Sequence, residues 1–439
     1  MAGLRGQNRR PFGLEADHAA VRRKNHVHVV VLGAGIVGLQ SAWHLRLKGH
    51  RVTVCDPDVA GGATYAAAGM LAPVSEVQFG QERLYPLLVA ARREYPRLVE
   101  EVGRATDLPT GFLDNGTLLI GGDRSDLERV RDHARVHTEY GLNIQRLATQ
   151  EIQQREPFLN ARIAGGFAAP DDAQVDPRVL CVALRDALSR ELDPTEFPGV
   201  GPAVEWVAER VERVTGSADG PYAVHTDGGT EWAADRVVVA CGMGCTSLNG
   251  ILSDLSLDLR PVYGDILRLR PRDPVGADRK PVLSSTIRAT ILGRQVYLVP
   301  RDDGEIVVGA TVREDGLDGI HAGGVHELLE DAITVLPALR HFEIADITAR
   351  ARPVSPDDIP YVGLIPKAPG ILVSAGYSRH GILLAPLGAR LGAALLSGET
   401  LSSEDAELLA AMNPGRIERE AAPNHSLTQK GPANGNHHR

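Results

Sequence analysis

The sequence predicts an α/β chain with a two-domain α+β organisation: a discontinuous Rossmann-like domain and a domain built on an antiparallel sheet. Three observations predict it. Apolar runs typical of buried parallel strands, HVVVL at 28–32, RVVVACG at 236–242 and GILVSAG at 370–376, fall near both ends and in the middle of the chain. A glycine fingerprint, GAGIVG at 33–38, follows the first of them. Residues 260–310 alternate apolar and polar, as in ILRLR and QVYLV, which suits an antiparallel sheet covered on one face.

The elements follow in order. Residues 1–26 are polar and aperiodic and read as a disordered lead-in. After HVVVL and the glycines, Leu39–Lys48 reads as a helix stopped by Gly49, and RVTVC at 51–55 as a second strand ending at Asp56. Ser125 and Glu128 have capping-box spacing for a helix running to about Tyr140, with Gly141 as its stop. Pro177–Arg190 reads as a helix, and 209–214 and 222–226 as strands. The last parallel strand, at 370–376, leads into a helix over 381–398, and the polar residues after about 413 read as a disordered tail. Parallel signals flank the antiparallel ones, so one domain is interrupted twice. The expected nucleotide-binding segments are 27–108, 171–258 and 347–412, and the second domain is 109–170 and 259–346, with 413–439 as the tail.

Composition excludes several classes. The chain has 439 residues, 43% hydrophobic, enough for more than one core. The net charge of −9 argues against a nucleic-acid partner. Arg9-Arg10 lacks the apolar stretch of an export signal, and no run approaches the roughly 20 apolar residues that span a bilayer. The expectation is a cytoplasmic protein with neither a membrane nor a nucleic-acid partner. The four cysteines, Cys55, Cys181, Cys241 and Cys245, lack the spacing of a metal site and read as small buried hydrophobes in a reducing compartment, so no metal is expected.

GAGIVG has a physical reading. Gly33 allows the tight turn, Gly35 lets the backbone approach a pyrophosphate, and Gly38 lets the helix pack close to the strand. The N-terminus of the following helix, reached through Ile36 and Val37, offers free N–H groups and a positive dipole end to phosphate. Asp56 stands where a carboxylate accepts hydrogen bonds from ribose hydroxyls. Strand, glycines, helix, strand and acid in that order indicate a dinucleotide, either NAD or FAD.

GGATYAAAGMLAP at 61–73 is almost without bulk or charge. Small residues such as Ala67, Ala68 and Gly69 let a backbone lie against a flat flavin ring and turn N–H groups toward it. Thr64 can add a hydroxyl for the phosphate or ribityl chain.

GAGIVG, Asp56 and AAAGMLAP, followed in order by DNGTLLI, QVDPRVL, YLVPRDDGEIVVGAT and GYSRHGILLAP, resemble the D-amino-acid-oxidase superfamily of flavoproteins. Within it the chain is similar to the glycine-oxidase branch, which serves bacterial thiamine biosynthesis. The likeness runs from about residue 28 to about 400. It implies FAD as cofactor, with further contacts at Val211 and Gly242 and along Arg379, His380, Gly381, Ile382 and Leu383.

The resemblance also implies a substrate site. Arg352, just before a proline, holds the amino acid's carboxylate with help from Tyr297; Arg379 sits near flavin and substrate; Met70 borders the reacting carbon. An arginine fork and a phenol suit a carboxylate, because two charge-assisted bonds fix orientation as well as supply energy. The last helix would aim its positive end at the flavin's pyrimidine edge. His380 is not needed as a base, since amine oxidation in the family is thought to require none.

Some segments depart from the family: PVYG places Tyr263 where lysine is usual, ARARPV replaces GLRPG, His380 replaces asparagine, and GMGCTS has no tryptophan. The expected activity is oxidative deamination of glycine or a close small amino acid, by hydride transfer to flavin N5 with dioxygen reduced to hydrogen peroxide. The departures leave open an N-substituted glycine, another secondary amine or an amino-acid-derived intermediate of specialised metabolism. A quinone-linked dehydrogenase and a non-catalytic nucleotide-binding protein are further alternatives. A homo-oligomer, a tetramer by resemblance, is also expected.

Overall fold

The computed structural model describes residues 26–416 except 77, 218–219, 253–256 and 273–280. The expected lead-in up to residue 25 and the tail from 417 lie outside the described residues. His28–Leu32 is the hub of a six-stranded sheet. It pairs in parallel with Arg51–Cys55 on one side and Arg236–Val239 on the other. Glu205–Val207 and Ala368–Ala375 extend the sheet in parallel, and Tyr361–Ile365 closes the edge antiparallel. A strand buried on both faces needs apolar residues at consecutive positions, and Val29, Val30 and Val31 supply them with no exposed surface.

The first helix is Ile36–Leu47, starting three residues before the expected Leu39 because Gly35 already serves as its N-cap. Gly49 follows it in the left-handed region at φ 85°. The helix lies against Gly381–Leu396, which is apolar on almost every face. A helix of that kind must be covered all round, and Leu39, Trp43, Leu88, Leu184 and Leu391 share its core. Gly392 permits the fit against the sheet, since a Cβ there would lie 2.8 Å from Leu372. Two helices differ from the sequence reading. Tyr85–Ala105 was not anticipated, although Leu87, Leu88, Ala91, Tyr95, Leu98 and Val102 have helical spacing. Arg124–Glu139 is capped by Asp123, whose carboxylate accepts from the Asp126 N–H, and not by Ser125.

The second large sheet has eight strands in the order Glu343–Val354, Arg260–Arg270, Ile306–Gly309, Arg294–Pro300, Thr286–Ile291, Thr117–Gly121, Gly165–Ala169 and Gln145–Leu147. All neighbours are antiparallel except Thr286–Ile291 with Thr117–Gly121. Ala322–Val335 packs on one face over Leu267, Leu298 and Val308. The opposite face carries Arg288, Tyr297 and Arg352 toward the nucleotide-binding layers. Glu343–Val354 stays in this sheet to Val354, beyond the residue 346 at which the sequence reading ended the segment. Among the described residues no helix is long and apolar enough to cross a membrane. Nor does any group of three or more His, Cys, Asp and Glu side chains there suit a metal ion.

Candidate active site

One cavity of about 1330 Å3 runs from the first glycine turn to the face of the eight-stranded sheet. At its near end, Gly33 takes φ 99° and brings the turn against the end of the central strand: a Cβ there would lie 2.6 Å from the Ala240 carbonyl oxygen. Gly38 faces the turn and not the cavity, because its missing side chain is what lets the helix sit on the Gly33 carbonyl. Gly35, Ile36 and Val37 lie on the wall. The Ile36 N–H donates to the Thr64 hydroxyl at 3.1 Å, so Thr64 caps the helix as well as lining the cavity. Asp56 accepts from the Ala34 N–H at 2.5 Å and from the Asp58 N–H at 2.8 Å, which fixes its carboxylate on the wall.

Residues 61–70, apart from Tyr65, form the next stretch of wall. Ala63–Ala66 is one helical turn and Met70–Leu71 a short strand paired with Gln174 and Ala173. Gly69 takes φ 77°, and any side chain there would overlap the Val175 carbonyl. Buried Arg301 braces this stretch, with Nη2 donating to the Ala68 carbonyl and Nη1 to Gln174 Oε1, each at 2.6 Å. Val211, Gly242, Gly381 and Ile382 also reach the wall. Leu383 does not; it points into the helical core.

At the far end two glycines make a floor. Arg352 lies across Gly264 on the neighbouring strand, and the Tyr297 phenol lies across Gly309. Arg352 makes no hydrogen bond or ion pair with any described residue, although its Nη1 is buried. Leaving a buried charged donor without a partner is costly, so a bare guanidinium on a cavity wall is a place for an anion. Burial pushes the Tyr297 phenol up to about 12 despite the opposing charge of Arg352, which keeps it a protonated donor.

Beside the floor, with Glu76, Arg288 and Arg379 all on the cavity wall, sits a network that sequence reasoning missed. Glu76 accepts from Arg288 Nη1 at 2.7 Å, and that same nitrogen lies 3.9 Å from the Met70 sulfur. Arg379 donates to the Glu76 carbonyl at 2.7 Å and to His380 Nε2 at 3.0 Å. An Nε2 that accepts from arginine belongs to a neutral imidazole with its proton on Nδ1, and Nδ1 stands 3.5 Å from the Glu76 carboxylate. Burial holds His380 below the ordinary histidine range, against the pull of Glu76. For Glu76 burial works the other way and is outweighed by His380, Arg288 and Arg379, which together hold it below the usual carboxylate range. His380 is 1% exposed and off the cavity wall, while Arg379 lines it and fastens the Glu76 loop. No motif announces this network, because Glu76 and Arg288 are 212 positions apart.

Comparison with known proteins fits this geometry. The family description of FAD dependent oxidoreductases named DAO matches residues 28–395. The chain belongs to this family. Its cofactor is FAD, and the wall fits that group: a glycine cradle at one end, a small-residue stretch beyond it, and an unpaired arginine past that. Among DAO-family relatives, the chain is 34% identical over 392 residues to the bifunctional protein ThiO/ThiG of Synechocystis sp., covering 89% of this chain and 54% of that protein. It thus spans about half the length of the first such bifunctional relatives. It is 30% identical to the glycine oxidase of Geobacillus kaustophilus, covering 89% of this chain and 98% of that enzyme. The crystal structure of that glycine oxidase superposes with a TM-score of 0.76 over 90% of this chain and 99% of the other. Iminodiacetate oxidase from Chelativorans sp., 25% identical, superposes at 0.70 over 85% and 96%.

Proposed function

We propose that this protein is an FAD-dependent amine oxidase acting on glycine or a close small amino acid. The observation that carries the reading is the unpartnered Arg352 guanidinium lying beside the Tyr297 phenol on a cavity wall. The Arg352 fork takes both oxygens of the substrate carboxylate and Tyr297 donates a third bond, which fixes where the α-carbon sits. Met70 closes the cavity beside that carbon. Ala67, Ala68 and Gly69 let the backbone come close to the ring, and Arg301 holds that backbone still.

When bound, FAD supplies the acceptor for the α-hydride at N5, dioxygen takes the electrons as hydrogen peroxide, and hydrolysis of the imine from glycine gives glyoxylate and ammonia. The protein's part is orientation and charge. The substrate is taken as the neutral amine, and neutral His380, off the wall, is not the group that deprotonates it.

The test is anaerobic addition of glycine to the yellow protein, followed by the same addition to Arg352→Ala. Bleaching in the first and its loss in the second is expected. A second reading, an N-substituted glycine, is favoured by the likeness to iminodiacetate oxidase and is distinguished by bleaching that ignores glycine.

A further inference from the structure

Arg288 and Tyr297 stand directly opposite each other on paired antiparallel strands, so their side chains leave the same face about 5 Å apart. Tyr297 leans over Gly309 and Arg352 leans over Gly264. In the strand order Arg352 approaches the phenol from one side and Arg288 from the other. Both arginines line the cavity. Arg288 Nη1 is taken by Glu76 and the Met70 sulfur. Its Nε and Nη2 donate to no described residue, and the side chain keeps 16% of its surface exposed. A guanidinium carries five donors in a planar fork, so Glu76 occupies one edge of this one and leaves the rest facing the cavity. The other Glu76 carboxylate oxygen stands 3.5 Å from His380 Nδ1.

A wall made only for glycine needs one arginine for its one carboxylate. We propose that Arg288 forms a second anion subsite, and that the substrate is a small amine with two acidic groups. One is held by Arg352 and Tyr297, the other by the free edge of Arg288. This rests on the amine-oxidase reading and, within it, favours a diacidic N-substituted glycine over glycine itself.

The test is a titration of the flavin spectrum of the holoenzyme with malonate and with acetate, in the wild type and in Arg288→Gln. A second charge-assisted pair predicts malonate binding at least about 10-fold tighter than acetate in the wild type. In Arg288→Gln that preference should fall to within about 3-fold of unity. Equal binding of the two anions by the wild type, or a preference that survives in Arg288→Gln, overturns the subsite. Should the variant fail to hold FAD, the wild type still decides. Anaerobic bleaching should then be at least about 10-fold more efficient with iminodiacetate than with sarcosine, and the reverse order overturns the proposal. If no amine bleaches the flavin, the amine-oxidase reading fails, while the malonate titration still tests the subsite.

Discussion

The guanidinium of Arg352 rests on the bare backbone of Gly264, one strand away, so that a single methyl group on Gly264 would overlap both of its terminal nitrogens. The pair explains why this strand carries a glycine between Tyr263 and Asp265. Gly264→Ala should push the fork off its floor without touching the nucleotide end of the cavity. We expect unchanged FAD content and a loss of substrate affinity of about 10-fold or more, since a displaced charge-assisted bond is worth roughly 1.5–3 kcal/mol. A substrate titration of anaerobic flavin bleaching checks it.

Gly33 makes a contrasting prediction at the other end. Its φ of 99° and the 2.6 Å approach of any Cβ to the Ala240 oxygen leave no room for a side chain. Gly33→Ala should lower FAD retention and destabilise the fold by about 1–3 kcal/mol. The ratio of absorbance at 450 nm to 280 nm after gel filtration, with a thermal melt, measures both.

Glu76 should matter at neutral pH more than its distance from the glycine motif suggests. Its carboxyl is held below the usual range in the folded state, so its stabilisation is present above the unfolded value near 4.3 and is lost only as pH falls through the lower folded value. Glu76→Gln leaves Arg288 facing a neutral amide, and breaking a buried pair in this way costs about 3–5 kcal/mol. Melting curves at pH 7 and pH 4 should show a deficit that persists at pH 4, because the wild-type carboxylate is still ionised there.

Asp172 has the opposite sign. It is fully buried and braces the Glu76 loop by accepting from the Val74 N–H at 3.0 Å and the Ser75 N–H at 3.3 Å. Burial raises it to about 6 although these bonds oppose the shift. A raised carboxyl favours folding below the unfolded value near 3.9, and that advantage is lost as pH rises through about 6. Asp172→Asn should therefore flatten the fall in stability between about pH 4 and pH 7, a term of roughly 2–3 kcal/mol in the wild type. Urea midpoints across that range are the measurement.

The nucleotide end was legible in the sequence because its determinants are local. Strand, GAGIVG, helix, strand and Asp56 occupy fewer than 30 consecutive residues, and each glycine has a reason that needs no tertiary information. The antiparallel sheet showed itself through alternation. Arg352 and Tyr297 were reached through resemblance, and the structure places them together over Gly264 and Gly309. Glu76 and Arg288 were out of reach, because a pair joined across 212 positions leaves no periodic trace. The helix Tyr85–Ala105 was legible and was missed: Pro96 and its many arginines obscure a clear apolar stripe. His380 shows the limit of adjacency. It neighbours Arg379 in the chain, yet its ring turns away from the cavity to serve as Arg379's acceptor.

The most direct test is anaerobic mixing of the FAD-loaded wild type and of Arg352→Ala with glycine, sarcosine and iminodiacetate, watching the flavin band. We expect bleaching of the wild type by at least one of these carboxylate-bearing amines, and a loss of at least about 100-fold in efficiency in Arg352→Ala, which retains its FAD. A wild-type flavin that stays yellow with all three, or an Arg352→Ala variant that bleaches as readily as the wild type, would contradict it.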